Sequence, residues 1–222
     1  MSVRPNADNT RSGKRWVAVE GPCCAGKTTL SQGLLTEMTD LVIAHVRCYA
    51  DHVGGGRFLP RPVPQSLAED HDAVQALLNV EAARVELARV AACDLVVMDR
   101  SVHTLLAHRH ALHRVTGLAL LDPAERVIAR SEAPAWPDLV IYLDVPLPTI
   151  LDRNGGKFPP DSIFIDPVFN TGIRNYFSKV TDGETTAGET TAIVWLDATL
   201  EPAKLVNLAE GHIRDLLQGR ET

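Results

Sequence analysis

Several things are scarce in this 222-residue chain, and each shortage removes a class of protein. Cysteine occurs four times, at Cys23, Cys24, Cys48 and Cys93, with no C-x-x-C pair. Neither a zinc module nor a disulfide framework is therefore expected, and a reducing cytosol fits best. His103, His110 and His113 have no cysteine partner or matching carboxylate spacing, so they read as surface residues rather than metal ligands. No apolar run approaches the roughly 18 residues that span a bilayer. The polar start Met1 to Lys14 lacks the apolar core of a signal peptide and reads as a disordered tail. Positive charge is not in excess: 22 Lys and Arg face 28 Asp and Glu, a formal net charge of -6. That balance argues against a broad nucleic-acid or acidic-membrane surface. There is also no Asn-Lys-x-Asp and no Asp-x-x-Gly after the third apolar strand, which speaks against a guanine-nucleotide switch.

What is present is concentrated in Trp16 to Leu30, WVAVEGPCCAGKTTL. Gly21, Gly26, Lys27 and Thr28 fill every fixed position of G-x-x-x-x-G-K-[ST]. The glycines let successive backbone N–H groups turn around a phosphate. Lys27 reaches the β- and γ-phosphates, the Thr28 hydroxyl can ligate Mg²⁺, and the following helix points its positive end at the anion. Cys24, Ala25 and Thr29 complete the wall of this phosphate site. Cys23 and Cys24 read as small packing residues, although a helix N-terminus also lowers thiol pKa and a redox-sensitive role stays open.

Downstream, Leu41 to Cys48, Leu95 to Met98, Leu139 to Leu143 and Ala192 to Leu196 are β-branched or apolar runs that read as further buried strands. Between them lie a long helix through Val74 to Val90, with one break allowed in it, one over Val102 to Val115, and others near Leu147 to Arg153, Val168 to Lys179 and Pro202 to Leu217. Tyr49 to Pro64 reads as a glycine-rich loop followed by irregular chain, and Asp122 to Pro137 as a connection punctuated by proline. Thr181 to Thr191 is polar, nearly repeats itself and reads as a surface loop. Strands alternating with helices mean an α/β fold whose parallel sheet is covered on both faces. Asp99 ends the third strand, where a carboxylate can act on a metal at the neighbouring phosphate loop.

The motifs together resemble the thymidylate kinase family of P-loop nucleotide kinases, with the deoxynucleoside kinases close behind. The match runs from Trp16 onward through Val19-Glu20-Gly21, Val97-Met98-Asp99-Arg100-Ser101 and Pro137-Asp138-Leu139-Val140-Ile141-Tyr142-Leu143-Asp144-Val145-Pro146. The resemblance implies a P-loop NTPase three-layer sandwich with a five-stranded parallel sheet and a short lid, as one domain over 15–222. It implies ATP and Mg²⁺, with Thr28 and Asp99 at the metal and Arg100 on the transferring phosphoryl group. Arg153 and Lys157 fall on the lid over the phosphates, and Asp197-Ala198-Thr199, just past the fifth strand, where adenine would lie. Arg84 falls near the arginine that grips the acceptor's phosphate. His108 and Arg109 stand where a tyrosine and a glutamine usually approach the acceptor base. Asp51 replaces the longer acid after the second strand, and no arginine accompanies it.

The implied activity is ATP plus a deoxynucleoside monophosphate giving ADP plus the diphosphate. The alternative is a nucleoside or other small-molecule hydroxyl kinase, with Asp51 as base and Glu20 behind it, because a hydroxyl must lose its proton. A regulatory P-loop ATPase is the rival of a different class. A small-molecule acceptor, no nucleic acid and no membrane are the expected partners, and the family resemblance also allows a homodimer.

Overall fold

The computed structural model describes residues 13–184 and 191–219. The five expected strands are present as β1 (Arg15–Glu20), β2 (Ile43–Val46), β3 (Leu95–Asp99), β4 (Leu139–Asp144) and β5 (Ala192–Asp197). They form one sheet in the order β2-β3-β1-β4-β5, every pair parallel. In register, Val17 stands beside Val97 on one side and Leu139 on the other. The helices are α1 (Lys27–Glu37), α2 (Tyr49–His52), α3 (Leu67–Val90), α4 (Val102–Thr116), α5 (Leu121–Ala129), α6 (Leu147–Asn154), α7 (Pro167–Thr181) and α8 (Pro202–Leu217).

Alternation along the buried strands divides the core in two. Trp16, Ala18, Val96, Met98, Val140 and Tyr142 face one layer, built with side chains of α3, α4, α5 and α7. Val17, Val19, Leu95, Val97, Leu139 and Ile141 face the other, built with α1 and α8. Period-two side chains with apolar character on both faces are what a sheet covered on both sides requires.

Three segments differ from the sequence reading. The long helix is unbroken and begins earlier, at Leu67, because Ser66 accepts the N–H of Glu69 and starts it. Tyr49–His52 closes a helical turn within the expected loop. Asp122-Pro123 does not interrupt the chain but lies in the first turn of α5, where a missing N–H costs nothing, and Ala124 and Ile128 are buried. Residues 1–12 of the expected tail and 185–190 of the polar loop lie outside the described residues. Lys14 is buried, its Nζ donating to Ala88 O, Arg89 O and Ala91 O at 2.8 Å each, so a cation closes the C-terminal end of α3.

Helices α4 and α7 approach each other closely. A Cβ on Gly172 would lie 2.6 Å from Ala111 Cα, so the two backbones meet there with no room for a methyl group. Gly172→Ala is expected to lower stability by about 1–3 kcal/mol despite alanine's better helix propensity, since forced overpacking outweighs it. Urea unfolding checks this, and an unchanged midpoint would show that the helices separate freely.

Candidate active site

The carboxyl ends of β1 and β3 deliver the loop and the Asp99-Arg100-Ser101 turn to one place. Gly21 (φ 134°) turns the chain out of β1 so close to β4 that a Cβ would sit 2.7 Å from Leu143 O, which only glycine permits. Cys24 (φ 62°) and Arg100 (φ 70°) are non-glycine residues in the left-handed region, and such conformations gather at functional sites.

Beneath both turns lies Glu20, fully buried at the end of β1. Its carboxylate accepts from Ser101 N at 2.7 Å, Ser101 Oγ at 2.8 Å and Thr104 Oγ1 at 2.6 Å. Arg100 N donates to Val19 O at 3.1 Å. These bonds lock the turn after β3 against β1 and hold the Arg100 guanidinium above the loop, where it donates to Gly21 O at 3.4 Å and Cys23 Sγ at 3.6 Å. Burial pushes the Glu20 carboxyl up, with Arg100 and the hydrogen bonds opposing it. Its oxygens already hold three donors, so Glu20 is a positioning group.

A cleft of about 460 Å³ opens over the loop. It gathers Cys24, Ala25, Gly26, Lys27, Thr28 and Thr29 with Asp99 and Arg100, and Arg153 and Lys157 reach it from α6 and the turn that follows. Thr28 Oγ1 donates to Asp99 Oδ2 at 2.6 Å. A hydroxyl and a carboxylate are hard oxygen donors suited to Mg²⁺, which commonly takes one or two protein ligands and completes its shell with phosphate and water. Among the described residues no three or more His, Cys, Asp or Glu side chains gather where they could hold a metal ion. Lys27 Nζ donates to Pro22 O within the loop. Burial pushes its ammonium down to about 8, with the neighbouring Arg100 charge adding to that effect.

Other expected site residues are placed elsewhere. Asp197 does not line the cleft: its carboxylate accepts from Thr199 N at 2.9 Å and Thr199 Oγ1 at 2.7 Å and borders a second cavity. Of that segment Ala198 does line the cleft, where with Leu200, Pro202 and Leu205 it supplies an apolar wall, and Arg153 donates to Ala198 O at 2.9 Å. Asp51, by contrast, stays at the edge of the cleft: it is exposed on α2 and hydrogen-bonded with Cys48, which lines the cleft.

Arg84 is buried and engaged within the protein rather than presented to a ligand. It donates to Arg47 O at 2.8 Å, Glu81 Oε2 at 2.6 Å, and Asp99 O and Arg100 O at 2.9 Å each, with its guanidinium 3.9 Å from the Tyr49 ring centroid. Arg109 is likewise buried, with its Nε 3.1 Å from Asp70 Oδ1. His108 packs edge-on to Phe169 at 5.2 Å, and burial, aided by Arg100 and Arg109, drives its imidazole well below the usual range, so it is neutral.

His103 is not a surface residue either. Its ring is fully buried, 3.0 Å from Tyr176 Oη and edge-on to Trp136, and burial pushes it down to about 3. His110 is also mostly covered, its Nε2 buried without a partner among the described residues. Sequence reading missed Cys48, which lines the cleft from the N-terminal side of α2, and the Ser101–Thr104 anchor of Glu20. The spacing Ser101-x-x-Thr104 after a strand-end acid was the only signal for the anchor.

No protein-family model matches the chain. A probable thymidylate kinase of Methanospirillum hungatei is 28% identical over 207 residues, covering 89% of this chain and 93% of that protein. The chain resembles the thymidylate kinases along nearly its full length. Two solved structures of deoxyadenosine kinase from M. mycoides share the fold. One, with the products dCMP and a flexible dCDP, has a TM-score of 0.60 at 12% identity, covering 90% of this chain and 99% of that one. The other, with bound dATP, has a TM-score of 0.60 at 13% identity, covering 90% and 100%. At such low identity these two establish a common architecture, the P-loop fold with its parallel sheet between helical layers. Among the described residues no helix is long and apolar enough to cross a membrane.

Proposed function

We propose that the protein is an ATP-dependent phosphotransferase acting on a nucleotide or nucleoside, with a deoxynucleoside monophosphate as the first acceptor to test. The observation that carries this is the single cleft in which the phosphate loop, the Thr28–Asp99 pair and Arg100 meet. Phosphoryl transfer needs in-line positioning and positive charge around the equatorial oxygens, and Lys27 and Arg100 bring two cations there. Thr28 and Asp99 would hold Mg²⁺, which would supply positive charge to the phosphates. Arg153 and Lys157 cover the same cleft from the lid side, and Ala198 with Leu200 offers an apolar wall for a base. Residues 15–222 act as one kinase domain, in the cytosol, and the homodimer allowed by the resemblance belongs to the same proposal and is tested by light scattering.

One observation favours a hydroxyl acceptor as the second reading. Arg84 and Arg109, the cations expected on the acceptor side, are already paired with Glu81 and Asp70, so neither is free to meet an acceptor phosphate. An uncharged nucleoside makes no such demand, and Asp51 would then take the proton. ADP release with a panel of deoxynucleosides and their monophosphates separates the readings. Asp51→Asn should abolish transfer to a hydroxyl and leave transfer to a phosphate nearly intact. A panel in which nothing stimulates ADP release, with only slow hydrolysis, would replace both readings by the regulatory ATPase.

Because burial pushes the Lys27 ammonium down to about 8, ATP binding should depend on pH in a defined sense. Triphosphate favours the charged ammonium, so affinity is full below about pH 8 and falls as pH rises, by about tenfold per unit once deprotonation dominates. Calorimetric titration between neutrality and mildly alkaline pH checks this, and a flat profile would remove Lys27 from the phosphates.

A further inference from the structure

The two most exposed large apolar side chains among the described residues are neighbours on α3: Leu87 at 79% and Val90 at 75%. They end a stripe. Ala76, Val80, Ala83, Leu87 and Val90 follow one another at alternating steps of four and three residues, the spacing that keeps side chains on one side of a helix. Ala76 and Ala83 are exposed and Val80 is partly so, and the whole stripe, about 21 Å long at about 1.5 Å per residue, faces outward. The inward face of α3 is already used: Val74, Leu78 and Val85 enter the core, and Arg84 is bonded to Glu81 inside the protein. Val42, exposed at 60%, donates its N–H to Asp94 Oδ2 at 2.8 Å just past the end of α3 and prolongs the apolar surface there. A contiguous apolar patch of this kind marks an association surface.

The stripe is complementary to itself. Turned antiparallel about Ala83, it sets Ala76 against Val90 of a second copy and Val80 against Leu87, so that a smaller side chain meets a larger one each time. Asn79 and Glu86 lie along one edge of the stripe, Val80 and Leu87 along the other. An antiparallel pairing brings like edges together, amide against carboxylate and apolar against apolar. A parallel pairing brings unlike edges together and would lay the Glu86 carboxylate along Val80 and Leu87. We propose that α3 is the face through which two copies of this chain associate, antiparallel, with the two-fold axis passing Ala83. This rests on the homodimer of the proposed function and adds the surface that makes it. A self-complementary patch is what a two-fold contact requires, and alanine at the crossing lets the two helices approach closely.

Sedimentation equilibrium of the full chain, with oxidative cross-linking, tests this. The parent should be a dimer. Leu87→Glu should raise the dimer dissociation constant at least about a hundredfold, because each dimer loses two buried leucines, while circular dichroism stays unchanged because Leu87 lies mostly outside the core. Ala83→Cys should give a covalent dimer with copper phenanthroline, since residues on the axis come within disulfide reach. Val90→Cys, about 21 Å from its counterpart, should cross-link no more than the parent. A dimer unchanged by Leu87→Glu and not cross-linked in Ala83→Cys refutes this face and leaves the homodimer standing. A monomeric parent refutes both. Cross-linking of Val90→Cys as readily as of Ala83→Cys refutes the antiparallel arrangement. MgATP thermal shifts on the same samples report the nucleotide site separately, so its failure leaves the association untouched.

Discussion

Lys27→Ala is expected to lower the transfer rate by about 10²–10³-fold or more while leaving a folded protein that is no less stable than the parent. The two effects have one cause. Lys27 is buried beside Arg100, and burial brings its ammonium down to about 8 from an ordinary 10.5. Folding therefore works against the charged form. The folded-state value lies below the unfolded one, so the cost is fully present below about pH 8 and disappears as pH rises past the unfolded value. At neutral pH it is on the order of 3 kcal/mol, which alanine relieves in part against the lost contact with Pro22 O. The same desolvated charge is what a transferring phosphoryl group can use, because a fixed cation in a water-poor cleft needs no reorganisation. Steady-state kinetics and thermal melts at neutral and alkaline pH check both halves. A variant with parental turnover would remove Lys27 from the reaction, and one that melts much earlier at neutral pH would show that the ammonium holds the loop together.

How much of this was legible beforehand depends on whether a residue's role is local. The phosphate loop was readable because its geometry is written in consecutive residues: Gly21 must pass Leu143 O, and Lys27 and Thr28 follow at fixed places. The five strands were readable because burial on both faces makes each a short apolar run. Asp99 was readable from its place at a strand end, and the Thr28 bond bears out its nearness to the loop. Arg84 and Asp197 were misplaced for a different reason. Which way an arginine turns on a long helix depends on Glu81 one turn earlier and on the carbonyls of Asp99 and Arg100, at and just past the end of β3 and distant in sequence, and no periodicity encodes that meeting. Asp197 is captured by Thr199, a local turn that propensity allows but does not require. His103 shows the same limit, since only the packing of α4 on α7 and on the segment around Trp136 makes its position interior.

Arg84→Met should reveal itself first as a loss of stability of about 3–5 kcal/mol. Methionine keeps much of the apolar volume beside Tyr49 but leaves the buried Glu81 carboxylate without its cation and three carbonyls without their donor. Burial already pushes the Glu81 carboxyl up, with Arg84 opposing it, so removing the guanidinium raises it further. A carboxyl whose folded value exceeds its unfolded value loses stability as pH rises, and the difference between variant and parent should therefore widen from mildly acidic to mildly alkaline pH. Glu81→Gln combined with Arg84→Met should recover part of the loss, since the unpaired charge is then gone. Activity should fall through kcat as well as KM, because Asp99 O and Arg100 O are the groups that Arg84 fixes and both residues stand over the phosphate loop. A higher acceptor KM with an unchanged urea midpoint would mean that Arg84 leaves Glu81 to grip an incoming phosphate, restoring the role that the family resemblance assigned to it.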